Sequence, residues 1–334
     1  MQPLNDKSRI LEIVSGSHLY GTNIETSDKD YVGIFIPSYF DYLTTDGYIK
    51  ELDLSIKTTP GKKSKNNADD IDRKFYSYFN YIQLATANNP NLLELLYTNP
   101  DNIVHKNWFG ENLIKHRDLF PHKGLVKRFM GYAEQQCHKM EIKSDKYNEM
   151  LLILNYLEGC PPKKVLAELQ YDNGFIKVLE ECKTKEIKQD QLLKKVVRVH
   201  DDFLTIGDIN IPMNVYVKNA MKRIKNRLST ATHRTELISK YGYDSKFGMH
   251  LVRLLLECRD YLKFGELIFP LKERGFLLDI RHGKYTAQEI LKFKDELISE
   301  IKSLEPDSRL PEEPRIKEIN RFVEQEMMDW ISYV

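Results

Sequence analysis

Two short apolar runs, Ile10 to Val14 and Tyr31 to Ile36, bracket a polar stretch that opens with Gly16-Ser17 and closes with Ser27-Asp28-Lys29-Asp30. Runs this short, bounded by a small-residue turn and a pair of acids, predict strands. Tyr48 to Ile56 and Ile71 to Tyr76 read the same way. Between them, Thr58 to Asp70 holds Pro, Gly, Lys and Asn and almost nothing apolar, the composition of a solvated loop. Phe79 to Tyr97 has helical spacing, interrupted at Asn88-Asn89-Pro90.

Beyond about residue 110 the spacing is helical almost throughout. Helices are predicted over Leu125 to Met140, Asn148 to Leu157, Lys163 to Leu169, Met213 to Leu228, Gly248 to Phe264 and Ala287 to Leu304. Thr286-x-x-Glu289 is a capping box at the start of the last of these. Pro306, Pro311 and Pro314 then precede an amphipathic helix with Ile316, Ile319, Phe322, Val323, Met327 and Trp330 on one stripe, a core face or a dimer seam. The expected architecture is α+β: a small mixed, palm-like sheet with flanking helices over residues 1–110, and a mostly α-helical domain over 111–334.

The 334 residues carry 50 Lys and Arg against 49 Asp and Glu, so no global field singles out nucleic acid or membrane, and any basic surface must be local. Four cysteines without metal-like spacing read as reduced thiols of a cytoplasmic protein. The N-terminus lacks the apolar stretch of a signal peptide, and no apolar run is long enough to span a bilayer.

The chemistry lies in the bracketed stretch. A strand's side chains alternate, so Asp28 and Asp30 project from one face. Carboxylates held that close call for a cation between them, and a divalent ion with oxygen ligands is the usual solution. Gly16-Ser17 offers backbone N–H groups and a hydroxyl to a phosphate. Metal plus phosphate cradle points to phosphoryl transfer with Mg2+ or Mn2+. A two-metal site commonly wants a third carboxylate. Asp72 is the better candidate, because it lies within the ordered run, whereas its rival Asp70 adjoins the loop.

The pattern G-S, about ten residues, then S-D-x-D at the head of an apolar strand resembles the signature of the DNA polymerase β-like nucleotidyltransferase superfamily. Several downstream blocks resemble its RNA-repair-pathway, RNA-ligase-associated branch: IDRKFYSYFNYIQLATANNPNLLELLY, GYAEQQCHK, YGYDSKFGMHLVRLL and DIRHGKYTAQE. The resemblance implies that Asp28, Asp30 and Asp72 hold the metals and that Gly16 and Ser17, with Ser27 beside them, bind an NTP. It implies transfer of NMP to an acceptor hydroxyl, with release of pyrophosphate. An RNA end such as that of tRNA is the expected acceptor. A protein hydroxyl, or a catalytically inactive nucleotide- or partner-binding fold, is the alternative. His18 and Leu19 stand where the family often has an arginine.

Lys246, His250 and Arg253 fall at i, i+4 and i+7, one face of a helix that could clamp a triphosphate as a second wall of the cleft. Glu94, set among leucines, reads as a hydrogen-bonded residue at the edge of a core. His138 and Lys139 fit a cleft lining or helix packing equally well. The loop lysines Lys57, Lys62, Lys63 and Lys65, and the face formed by Lys218, Lys222 and Lys225 with Arg223, Arg227 and Arg234 nearby, are the candidate RNA contacts, although such faces are most often simply solvated.

Overall fold

The computed structural model describes residues 8–25, 27–37, 49–56, 71–183, 186–189, 192–195, 197–199, 202–206, 209–229, 238 and 240–333. The expected 58–70 loop, with Asp70 and the lysines Lys62, Lys63 and Lys65, lies outside these residues, as do Lys57 and Arg234.

Strands β1 (Arg9–Ser15), β2 (Lys29–Phe35), β3 (Glu51–Asp53), β4 (Ile71–Ser77) and β5 (Ile103–Lys106) form a five-stranded sheet in the order β3-β4-β2-β1-β5. The sheet is mixed: β2 and β4 run parallel, while the β1–β2, β1–β5 and β3–β4 pairs are antiparallel. Register fixes which side chains share a face. Ser15, Asp30 and Asp72 form one cross-strand row, followed on the same face by Ile13, Val32 and Lys74 and then by Leu11, Ile34 and Tyr76. The opposite face carries the rows Val14, Tyr31, Arg73 and Glu12, Gly33, Phe75.

On that opposite face Glu12 is fully buried, at 0% exposure, and ion-pairs with Arg9 at 2.8 Å and with Arg73 at 2.9 Å. The Arg73 guanidinium also stands 5.0 Å from the Tyr31 ring centroid. Two cations hold the carboxylate that the strand pattern forces inside. Gly33 makes room beside it. A Cβ there would come within 2.3 Å of the Phe75 ring and 2.8 Å of the Leu11 carbonyl oxygen.

Helix α1 (Ser17–Tyr20) is a single turn between β1 and β2, and α2 (Tyr78–Thr86) follows β4 directly. The break expected at Asn88-Asn89-Pro90 is present: Asn88 takes a left-handed φ of 53°, and the Asn89 side chain accepts from the Asn91 N–H to cap α3 (Pro90–Leu93). Then come α4 (Trp108–Lys115) and α5 (Leu125–Glu158). The spacing predicts two helices in that last stretch. One 34-residue helix forms instead, because nothing between Met140 and Asn148 is Gly or Pro, and it ends at Gly159 and Pro161-Pro162.

Helix α6 (Asn173–Lys183) leads into the strands β6 (Glu186–Gln189), β7 (Leu192–Lys195), β8 (Val197–Val199), β9 (Phe203–Ile206) and β10 (Ile209–Pro212), which form a two-stranded and a three-stranded sheet within the otherwise helical part. The helix expected over Lys163 to Leu169 is a short 3-10 segment, Leu166–Tyr171, because Val165 is extended and bridges to Tyr216. Helices α7 (Val217–Ser229), α8 (Ser245–Phe264), α9 (Arg274–Arg281), α10 (Ala287–Leu304) and α11 (Ile316–Tyr333) complete the chain. The capping box of α10 forms: Glu289 accepts from the Thr286 N–H at 2.7 Å, and the Glu289 N–H reaches Thr286 Oγ1 at 3.3 Å.

By contacts the chain gathers into two units, Met1–Glu134 with Met249–Asp279 and Ile290–Val334, and Gln135–Gly248 with Ile280–Glu289. The first contains the five-stranded sheet. In it, the α11 stripe packs Ile319 into the interior and sets Trp330 5.2 Å from the Phe109 ring. The second has its own core, including Leu157, Leu166, Phe175, Leu204, Ile211 and Ile224. No helix among the described residues is long and apolar enough to cross a membrane.

Gly33→Ala forces a methyl against a ring and a backbone oxygen that cannot both retreat, so chemical denaturation should show a loss of about 1–3 kcal/mol.

Candidate active site

Three carboxylates meet at one end of the sheet. Because β2 and β4 start together and run parallel, Asp30 lies opposite Asp72 in register, with Asp28 two residues earlier on the Asp30 face. One carboxylate oxygen from each of Asp28, Asp30 and Asp72 lies within 4.8 Å of the others, and all three residues are half-buried. The donor set is all oxygen and all anionic, which fits a hard divalent cation such as Mg2+ or Mn2+.

Gly16 is built into the same place. Its φ of 63° and ψ of −141° form a backbone conformation open essentially to glycine alone. A Cβ at this position would stand 2.5 Å from Asp30 Oδ2. The chain therefore turns against the carboxylate itself, and Ser17 begins α1 immediately after the turn. The Tyr20 and Thr22 N–H groups donate to the Gly16 and Ser17 carbonyls at 3.1 and 2.9 Å. Ser27 closes the loop that delivers Asp28. Its hydroxyl oxygen accepts from the Ile24 N–H at 2.9 Å, and its own N–H returns to the Ile24 carbonyl at 2.9 Å.

The helix face read as a triphosphate clamp separates in the structure. Lys246 and His250 are half-buried on α8, whereas Arg253 is only 4% exposed. Its guanidinium donates to Glu94 Oε1 at 2.6 Å and to Glu257 at 2.8 and 2.9 Å, and lies 4.2 Å from the Tyr20 ring centroid. Tyr20 in turn donates its hydroxyl to Glu94 Oε2 at 2.6 Å. Through Nη1, Arg253 thus bridges two buried glutamates, and its guanidinium stacks on Tyr20 at the end of α1, the turn that starts at Gly16-Ser17. Glu94, fully buried and paired on both oxygens, is the hydrogen-bonded core residue that its leucine surroundings imply.

Burial raises the carboxyl pKa of Glu257 to about 8; Arg253 opposes the shift and the neighbouring Glu94 charge adds to it. Burial likewise drives the Tyr20 hydroxyl well above its ordinary range, although the Arg253 charge pulls the other way. Sequence spacing missed Tyr20 and Glu257 as members of this cluster. The signal for the second was present, since Glu257 stands one helical turn beyond Arg253. Lys139, one of the cleft candidates, places its ammonium 5.9 Å from the Phe247 ring centroid.

Residues 5–157 match the model of the RNA repair pathway DNA polymerase beta family. The five-stranded sheet and its acidic end both lie within the matched stretch. The chain is also 26% identical, over 304 residues, to an uncharacterized 38.9 kDa protein encoded in the nrdC-mobD intergenic region of Enterobacteria phage T4; the alignment covers 86% of this chain and 87% of that protein. The family that the sequence motifs resemble is thus the one whose model matches residues 5–157. No solved structure matches.

Arg253→Met strands two buried carboxylates and should cost about 3–5 kcal/mol of unfolding free energy in a denaturant titration. The raised Glu257 pKa means that the folded state holds this proton more tightly than the unfolded chain, whose ordinary value is 4.5. Its contribution is fully present below pH 4.5 and is lost as pH rises toward about 8. Melts across that window should show stability falling with pH, and Glu257→Gln should flatten the decline.

Proposed function

We propose that the chain is a divalent-metal-dependent nucleotidyltransferase that moves NMP from an NTP to an acceptor hydroxyl, the acceptor being an RNA end such as that of tRNA. The observation that carries this reading is the convergence of Asp28, Asp30 and Asp72 within 4.8 Å beside a glycine turn that only a bare backbone can make. The family match to an RNA repair pathway supports RNA as the acceptor.

Asp28, Asp30 and Asp72 would hold the cation. When bound, it lowers the pKa of the attacking hydroxyl and neutralises charge on the departing pyrophosphate. The acceptor oxygen attacks the α-phosphorus, the new P–O bond forms as the bond to the β-phosphate oxygen breaks, and pyrophosphate leaves with that electron pair. Asp72 would take the proton of that hydroxyl. The Gly16-Ser17 turn supplies N–H groups and the Ser17 hydroxyl to the triphosphate, and Tyr20, pinned by Glu94 and Arg253, keeps that turn in place. Little covalent work falls to the protein; orientation and charge neutralisation supply the rate.

Incubation with each α-labelled NTP, Mg2+ or Mn2+, and tRNA should move label to RNA. Asp30→Asn and Asp72→Asn should each lower that transfer on the order of 1,000-fold. Label on a protein band instead of RNA would reassign the acceptor. Absence of transfer to any acceptor, or transfer indifferent to both substitutions, would sink the enzymatic reading.

A further inference from the structure

The overall charge of +1 hides a division. The unit formed by Gln135–Gly248 and Ile280–Glu289 carries 22 Lys and Arg against 16 Asp and Glu, a formal +6, whereas the rest carries 28 against 33, a formal −5. Much of the excess sits on α7, whose 13 residues, VKNAMKRIKNRLS, include five cations and no acid. One side of α7 is fixed: Val217, Ala220 and Ile224 are each 0% exposed in the core of that unit. The other side is exposed and consists of Lys218, Asn219, Lys222, Arg223, Lys225 and Asn226.

Ordinary solvated helix faces mix signs and place acids one turn from their lysines. Here, among the described residues, Lys225 reaches Glu158 at 2.7 Å, but no carboxylate pairs with Lys218, Lys222 or Arg223. The Arg223 guanidinium spends one contact on the Asn210 carbonyl, at 3.4 Å, which sets it against the adjacent β10. An aromatic ring sits at the head of the face: Tyr216 is 47% exposed, and the Lys218 ammonium lies 5.8 Å from its centroid. Exposed Lys163 continues the positive surface, since the Lys218 N–H donates to the Pro162 carbonyl and the Val217 N–H to that of Lys164.

We infer that this face of α7, with Tyr216, is a docking surface for the phosphate backbone of single-stranded RNA. Spaced cations with the exposed Asn219 among them suit consecutive phosphates, and an exposed ring beside them offers a base a stacking platform. An acidic protein partner would fit the charge but would leave the ring without its use. The inference deepens the proposed function by placing the binding of the acceptor on a surface distinct from the carboxylates, and it rests on that reading only in the choice of RNA.

The test is binding of the full chain to a fluorescently labelled 20-nucleotide single-stranded RNA across about 50–200 mM salt, with nucleotide and Mn2+ binding measured separately. Three phosphate contacts on a single strand give a slope of about −2 in log K against log salt, or roughly a 16-fold loss over that range. Lys218→Gln/Lys222→Gln/Arg223→Gln should weaken binding at least about tenfold at the lowest salt and flatten the slope by about 2. Its thermal melt and its nucleotide binding should match those of the unaltered protein. Tyr216→Ala should weaken binding while leaving the slope in place. RNA binding that is absent from the unaltered protein, unchanged in the triple variant, or displaced equally well by polyglutamate overturns the inference. RNA binding without nucleotidyl transfer would instead remove the proposed reaction and leave this surface standing.

Discussion

The parallel register of β2 and β4 is the constraint on which the acidic site depends. Asp30 meets Asp72 only because the two strands begin at the same level and run the same way. A slip of one residue would turn Asp72 to the face that carries Glu12 and would bring Arg73 to the carboxylates in its place. Gly33 helps to hold that register, since its missing side chain lets the Phe75 ring lie directly across from it. Glu12 helps from the buried face, joining the start of β1 to β4 through two arginines. The two faces of the sheet thus carry opposite electrostatic solutions. One side neutralises its acid with built-in cations, and the other gathers acids suited to an external one.

The site also leans on a long-range tie. Gly16 can touch Asp30 only while α1 stays in position, and α1 ends at Tyr20, whose hydroxyl and ring are both taken up by the Glu94–Arg253–Glu257 cluster. The arginine that the helical spacing offers to a nucleotide instead works from inside, and its influence on the turn at Ser17 passes through Tyr20. Burial of three ionisable side chains there is tolerable because each glutamate oxygen faces the guanidinium or a hydroxyl.

Much of the site was legible in the sequence because its signals are local. Alternation puts Asp28 and Asp30 on one face, an apolar run identifies the strand that carries Asp72, and a small residue marks the turn at Gly16. Thr286 and Glu289 announced their helix start for the same reason. Other features escaped because they depend on partners far along the chain. An i, i+4, i+7 pattern of Lys246, His250 and Arg253 states which way side chains point on a helix but not what covers them, so the burial of Arg253 against Glu94 could not be read from spacing. The strands between Glu186 and Pro212 are three or four residues each, too short for a clean alternation. The continuity of α5 was hidden by a polar middle that lowers the apolar signal without breaking the helix.

The burial of Arg253 bears on where a working piece of this protein can be cut. The family match ends at residue 157, which invites a fragment stopping there. Such a fragment would keep every aspartate of the acidic site, yet lose the cation that Glu94 and Tyr20 share, together with Met249–Asp279 and Ile290–Val334, which gather with the sheet into one unit. The stretch that matches the family model is therefore shorter than the sheet-bearing unit and stops before two of its three segments. A minimal version of the sheet-bearing unit has to be assembled from three discontinuous segments rather than trimmed from one end.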